Sequence, residues 1–214
     1  MHIGPDKIER VSQAKLLGVI LDSKLTWKNH TAAITGKLYR AIAILYKMRY
    51  LVGRKWLIRL YYAFFHPHIN YCCSIWGSAP KVALQPLIIA QHKAIKTMYN
   101  LEPRTPTSFI YQISKFLTVS EICDYQSLIF MYKFHHDLLP LSLNELFTAA
   151  TTVVSRPTRN RIDYYIPTFR LSSTQRSILY RGPLLWNDLS PNLKTATSVK
   201  AFKDQLKNYY KSEK

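Results

Sequence analysis

The chain has 214 residues, with 30 Lys and Arg against 12 Asp and Glu, a formal net charge of +18. Its 48% apolar and 13% aromatic content is that of a folding chain and excludes a disordered basic tail. Between Ser23 and Leu101 stand twelve Lys and Arg and no Asp or Glu, a balance poised against a polyanion through release of its condensed counterions.

Met1 to Arg10 is charged and has no apolar run, so no secretory leader is expected. Lys15-Leu16-Leu17-Gly18-Val19-Ile20-Leu21-Asp22 is a short apolar run with a central glycine, ended by Asp22-Ser23, and reads as a strand or hairpin arm. Gly18 marks a bulge or a close backbone approach in that strand, and Lys7 to Val11 supplies the partner arm.

From Trp27 the period changes. Ile34, Leu38, Ala41, Ile42, Leu45 and Met48 fall within about 120° on a helical wheel, while Lys37, Arg40 and Lys47 form a separate arc roughly 125° away. Gly53 breaks that helix, and a second follows with Trp56, Leu57, Leu60, Tyr61 and Phe64 as its inner face, stopping near Pro67. Leu60 to Pro80 carries no formal charge, but His66, Pro67, His68, Asn70 and Pro80 make it a poor bilayer span, so no membrane partner is expected.

A third helix is predicted from about Val82 to Tyr99, with Pro86 as its better start, Leu87, Ala94, Ile95 and Met98 inward, and Lys93 and Lys96 in water. Thr118-Val119-Ser120-Glu121 is a capping box that opens a fourth helix running through Ile122, Tyr125, Ile129 and Tyr132 toward Leu139-Pro140. Thr148 to Thr158 reads as a linker. Asp163 to Leu171 is predicted to be extended, and Arg181-Gly182-Pro183 to turn. Ser198 caps a last helix with Val199, Phe202, Leu206 and Tyr210 inward and Lys200, Lys203, Lys207 and Lys211 as a flanking ladder.

Signals for catalysis are sparse. There is no Gly-rich phosphate loop, no G-x-S-x-G elbow and no adjacent pair of acidic residues; Asp22 stands alone. His66-Pro67-His68 with Cys72-Cys73 has poor zinc spacing, because adjacent cysteines diverge on a helix, so no metal and no cofactor is expected. His135-His136 is read as a favourable contact with a helix C-terminus. The three cysteines, Cys72, Cys73 and Cys123, are odd in number and give no disulfide framework, which favours a reducing compartment. Trp27, Tyr39, Tyr46 and Tyr50 near the basic arc could stack on bases, although margin-of-core packing is the simpler role for most of them; Trp56 and Trp186 are expected in the core.

Three stretches together resemble one family. They are Lys15 to Asp22 with Lys24-Leu25-Thr26-Trp27 and His30; Leu60-Tyr61-Tyr62-Ala63-Phe64-Phe65-His66-Pro67-His68-Ile69-Asn70-Tyr71-Cys72 closing with Ile75-Trp76-Gly77; and Gly182-Pro183-Leu184-Leu185-Trp186-Asn187-Asp188-Leu189 with Ser198 and Phe202-Lys203. In order and spacing they look like the carboxyl-terminal part of reverse transcriptases from non-LTR (LINE-type, jockey-like) retrotransposons. The resemblance implies that Leu17, Gly18 and Val19 belong to the hairpin that lies against a primer end. It implies that the helices to about Asn100 are a thumb gripping a template–primer duplex, and that the remainder is a post-thumb tail. The family's catalytic aspartates and zinc knuckle have no counterpart here, so Met1 is expected to open in mid-domain, as in a truncated copy.

The expected fold is therefore mainly α: a helical thumb-like bundle with a small N-terminal β-hairpin and short strands in the C-terminal third. The expected parts are a palm-end hairpin over 1–25, a helical bundle over 26–147, a linker over 148–160 and a tail over 161–214. The expected activity is not enzymatic: sequence-independent binding of RNA, DNA or hybrid backbone through Lys24, Lys28, Lys37, Arg40, Lys47, Arg54, Lys55, Lys93, Lys96, Lys200, Lys203 and Lys207. The alternative is a remnant that self-associates through a surface left by a missing palm. A hydrolase using Cys73 or His66 ranks third.

Overall fold

The computed structural model describes residues 2–3, 6–7, 10–153 and 163–212. The protein is mainly α-helical with a small antiparallel hairpin near its N-terminus. Two short strands, β1 (His2–Ile3) and β2 (Asp6–Lys7), pair with each other, and β3 (Gln13–Leu16) pairs with β4 (Val19–Asp22) in the register Leu16 to Val19.

That register corrects the predicted hairpin. The apolar run is both arms, its partner is Gln13–Leu16 rather than Lys7–Val11, and Leu17-Gly18 is the turn. Both turn residues have positive φ, 47° at Leu17 and 84° at Gly18. A two-residue turn of that hand matches the twist of the strands, and glycine takes the second position without steric cost. β3 is exposed throughout, while Val19 of β4 enters the core.

Asp22 ends the hairpin and starts the helical part. Its carboxylate accepts the N–H groups of Lys24, Thr26 and Trp27 and the Thr26 hydroxyl, at 2.9–3.2 Å. Burial pushes this carboxyl up, but the bonds from Thr26, Trp27 and Lys24 outweigh it and hold the group below its ordinary value. The lone acid thus organises a loop.

Helix α1 (Lys28–Met48) buries Ile34, Leu38, Ala41, Ile42 and Leu45 as its apolar period requires. Its most extensive partner is α5 (Lys81–Tyr99), whose Leu87, Ala90, Ala94, Ile95 and Met98 are buried; alanines on both helices let the axes approach. Pro86 lies inside α5 rather than at its start. Helix α2 (Arg54–Leu60) continues through a π-helical turn over Tyr61–Phe65 into α3 (His66–Asn70), so the chain does not stop at Pro67. The widened turn, in which His66 N–H reaches the Tyr61 carbonyl, accommodates a proline that would otherwise clash one turn back. It also sets the inner face to Leu57, Tyr61, Phe65 and Ile69. The predicted inner residues Trp56 and Phe64 are 56% and 49% exposed, and Trp56 is not core.

Short α4 (Cys73–Trp76) seats Trp76 in the core. Helix α6 (Thr107–Ser114) was not expected; an apolar Phe109-Ile110-Ile113 spacing behind Pro106 is its only sequence signal. Helix α7 (Val119–His135) opens with the predicted capping box: Glu121 N–H donates to Thr118 Oγ1 at 3.2 Å and Thr118 N–H to Glu121 Oε2 at 2.7 Å. His135 at its end bonds Tyr164 at 2.9 Å and tilts against Trp186, and burial and then His136 lower its pKa, the opposite of what the helix dipole alone would do.

Of the expected linker, 154–160 lies outside the described residues. Ahead of it α8 (Ala150–Val153) forms, and Ala149 bridges to Tyr164, the one β-pairing among the described residues of the C-terminal third. After α9 (Ser172–Gln175) comes α10 (Ile178–Asp188), which runs straight through Arg181-Gly182-Pro183, so no turn forms there. Gly182 lies at the crossing with α7, where a Cβ would come within 2.9 Å of the flexible Met131 Sδ. α11 (Pro191–Lys194) leads to α12 (Val199–Ser212), where the predicted cap is present: Ala201 N–H donates to Ser198 Oγ at 3.1 Å.

The core forms two apolar clusters. One spans Val19 to Cys123; the other gathers Leu128 to Tyr132 with Phe147, Tyr164, Trp186, Phe202 and Leu206. Helix α7 contributes its first half to one and its second half to the other.

Candidate nucleic-acid interface

Helix α1 carries the densest basic arc, and its buried stripe fixes where that arc points. Lys37, Arg40 and Lys47 are exposed on the flank nearer α3. His68 of α3 registers the first two: burial lowers its pKa, and the charges of Lys37 and Arg40 lower it further. The hairpin turn lies on the same side of the molecule. Tyr71, directly after α3, donates its hydroxyl to the Leu17 carbonyl at 2.7 Å, and a Cβ on Gly18 would lie 3.8 Å from its ring. Inside the hairpin, His30 Nδ1 accepts the Ile20 N–H at 3.3 Å, which places the ring proton on Nε2. Burial and then Lys37 keep that histidine neutral. Leu17, Gly18 and Val19 are therefore held at both ends, with Leu17 82% exposed.

The other flank of α1 is aromatic. Lys93 lies 5.4 Å from the Tyr39 ring, and Arg49 lies 4.1 and 4.5 Å from Tyr46 and Tyr50. Arg54 covers Tyr99, and Arg59 covers Trp56. These tyrosines are not margin-of-core packing: Tyr39, Tyr46 and Tyr50 are all largely exposed, whereas Trp27 is buried. Lys93, Arg54 and Arg59 are exposed where they rest on their rings, whereas Arg49 lies between two tyrosines with its Nε buried.

The twelve candidate residues do not form one surface. Lys37, Arg40 and Lys47 share the α3 flank, and Lys93 and Arg54 share the aromatic flank. Lys24 and Lys28 border a cleft of about 580 Å³ against Ile75, Arg176 and Leu179. Lys96 turns back to the Pro103 carbonyl. Lys55 and Lys200 are exposed near the starts of α2 and α12. Lys203 and Lys207 border a separate cleft, described below. Sequence reasoning missed His68 and Tyr71, which belong with the α3 flank; both lie in the second quoted stretch, but neither carries a formal charge that would draw attention.

Chemistry beyond binding finds little to work with. Cys73 Sγ donates to the Ile122 carbonyl at 3.8 Å inside the core, and the neighbouring Cys123 thiol is pushed up, first by its bond with Cys73 and then by burial. His66 opens α3, directly after the π-helical turn. Among the described residues no three His, Cys, Asp or Glu side chains converge as a metal centre requires. No helix is long and apolar enough to cross a membrane, again among the described residues.

Comparison with protein-family models, with curated proteins and with solved structures finds no match.

Proposed function

We propose that this chain is the thumb-and-tail portion of an RNA-directed DNA polymerase of the non-LTR retrotransposon type. In this reading it grips the sugar–phosphate backbones of a template–primer without reading sequence and without polymerising on its own. One observation carries it: the exposed Lys37 and Arg40 bear electrostatically on His68, three residues before the Tyr71 that ties down an exposed hairpin turn, in a stretch of 79 residues with no acid to neutralise them. A rigid cationic flank next to a protruding turn is what backbone contact at a strand end requires. The sequence offers no adjacent carboxylates to hold two metal ions, which nucleotide addition needs.

The test is anisotropy of a labelled RNA–DNA hybrid at several salt concentrations. About five phosphate contacts give a slope of log affinity against log salt near −4 to −5. Lys37→Glu with Arg40→Glu flattens the slope by about 2. A salt-independent affinity, or full binding by the double variant, removes this function; magnesium-dependent primer extension by the isolated chain removes the claim that it does not polymerise.

A second reading has its own observation. β3 is exposed along its length and, among the described residues, pairs on one side only, and Leu16, Leu17, Leu25 and Ile75 are each more than half exposed nearby. Such an edge and patch suit self-association. Sedimentation showing dimers together with no affinity for hybrid favours this reading over the first.

A further inference from the structure

We infer that a cleft between the π-helical segment, the α6–α7 connection and α12 is a binding site for a terminal phosphate or diphosphate group, held best when its ester carries an aromatic ring. The cleft holds about 270 Å³ and collects four lysines, Lys115, Lys203, Lys207 and Lys211, around Tyr62 and His66. None of this depends on the α1 flank.

The lysines are directed there by the fold. Lys203, Lys207 and Lys211 each follow a buried residue of α12, namely Phe202, Leu206 and Tyr210, so all three project from one face at successive turns. Phe202 stacks on Tyr132 at 4.4 Å, and the Tyr125 hydroxyl donates to the Lys203 carbonyl at 3.3 Å, which fixes the backbone that carries them. Lys115 reaches the same space because it terminates α6 in the left-handed conformation, with φ 54°. The opposing wall is aromatic. Tyr61 stacks between Phe65 and Phe116, and Tyr62 stands edge-on to Phe116 at 5.6 Å with 41% of its surface exposed. Lys207 Nζ lies 5.8 Å from the Tyr62 ring centroid.

Four ammonium groups around one small cleft repel one another, and no carboxylate of the described residues lines it. Asp204 lies on α12 beside Lys203, where its charge bears on Tyr125. A monoester dianion relieves that repulsion, and lysine serves it as a mobile point charge. His66 stays neutral, because burial and then Lys207 lower its pKa, so it offers a hydrogen bond without a fifth charge. The exposed Tyr62 face beside the lysines supplies a stacking surface for a base. A nucleotide and the 5′-phosphate end of a strand present this same chemistry.

Calorimetric titration of the whole chain with ADP, pyrophosphate, and 5′-phosphorylated and 5′-hydroxyl single strands tests it. The expected result is one site for ADP and pyrophosphate, weakened at least about tenfold when Lys203, Lys207 and Lys211 all become Gln. Tyr62→Ala weakens ADP and spares pyrophosphate, whereas Lys37→Glu with Arg40→Glu changes neither. Tighter binding of the 5′-phosphorylated strand than of ADP identifies a strand end as the source, and the reverse identifies a free nucleotide. The substituted lysines are exposed, so an unchanged circular-dichroism melt confirms that the variants fold. No saturable binding of ADP or pyrophosphate, saturation unaffected by the triple substitution, or equal binding of both strands with none of ADP overturns the site.

Discussion

In the cluster formed by α1 to α5, cations lie on rings: Arg49 on Tyr46 and Tyr50, Lys93 on Tyr39, Arg54 on Tyr99. On α10 and α11, which follow in the C-terminal third, cations meet carboxylates. Arg181 grips Asp124 with two bonds of 2.6 and 2.7 Å, and Lys194 reaches Asp163 at 3.0 Å, where the Trp186 indole N–H also donates. Cation–ring contacts and partly exposed ion pairs contribute similar energies, on the order of 1 kcal/mol. The difference lies in what remains afterwards. A ring leaves the cation's charge available to a phosphate, whereas a carboxylate consumes it. The first region thus leaves its ring-bound cations un-neutralised, whereas Arg181 and Lys194 of the second use their charge to fasten structure; the α12 lysines, which line a cleft against Tyr62 of the first region, stay free as well.

The strongest way to break this division is to ask whether the regions are separate at all. Trp76 and Trp186 are fully buried, one in each cluster, and Trp76→Ala or Trp186→Ala is expected to cost about 3–5 kcal/mol. Because α7 contributes to both cores, each variant should lower one shared transition in urea, with fluorescence and circular dichroism coincident. Two resolved transitions, each sensitive to only one tryptophan, would show that the clusters unfold independently.

Glycines mark where each region presses on α7. A Cβ on Gly77 would lie 2.4 Å from the Cys73 carbonyl oxygen and 2.7 Å from Cys123 Sγ; on Gly182 it would lie 2.9 Å from Met131 Sδ. Backbone cannot yield and a methionine side chain can. Gly77→Ala is therefore expected to cost about 1–3 kcal/mol and Gly182→Ala distinctly less, read as midpoint shifts in the same urea titration. Equal costs would mean that the two contacts are equally rigid.

How much of this could be read beforehand follows the same physics. The α1 stripe, the α7 capping box and the Ser198 cap were legible because period and local hydrogen-bond chemistry depend on neighbours in sequence. Phe64 was misplaced because a π-helical turn inserted ahead of Pro67 shifts the inner position to Phe65, and nothing in local spacing announces it. Gly182-Pro183 read as a turn because the pair breaks helices in isolation; the glycine lies where α10 crosses Met131, and the proline sits in the middle of α10 at the loss of one intrahelical bond. At the site, the basic residues were visible as charges. Their division among flanks and clefts was not, since it depends on how α3, α5 and α12 surround α1 and the π-helical segment.

Acid should sharpen the comparison more gently. His30, His66, His68 and His92 in the first region, and His135 in the second, all have lowered pKa values, with burial the largest cause. The unfolded chain takes up these protons near 6.5 while the folded chain resists them. Stability is therefore full above that value and falls as pH drops below it. In the first four, neighbouring cations lower the pKa further; at His135, His136 and Lys194 do so too, but Asp163 and Asp137 pull it back up. Comparing urea midpoints at neutral and mildly acidic pH, His30→Asn, whose side-chain oxygen still accepts the Ile20 N–H, should reduce the loss on acidification more than His135→Asn does. The reverse order would place the acid sensitivity in the tail.

The smallest effect bears most directly on the open cationic flank. Gly36 lies in α1 within about 40° of Arg40 and 20° of Lys47 on the wheel, and a Cβ there would meet nothing within 4 Å. An exposed glycine in a helix interior gives up about 0.5–1 kcal/mol relative to alanine, so Gly36→Ala should raise the urea midpoint by that amount. If the flank lies against a sugar–phosphate strand, the missing side chain lets backbone approach backbone. Gly36→Leu should then keep most of the added stability yet weaken hybrid binding several-fold, while ADP binding at the α12 cleft is unchanged. A leucine variant that binds hybrid as well as the parent chain would move the strand off this face of α1, however basic the face is.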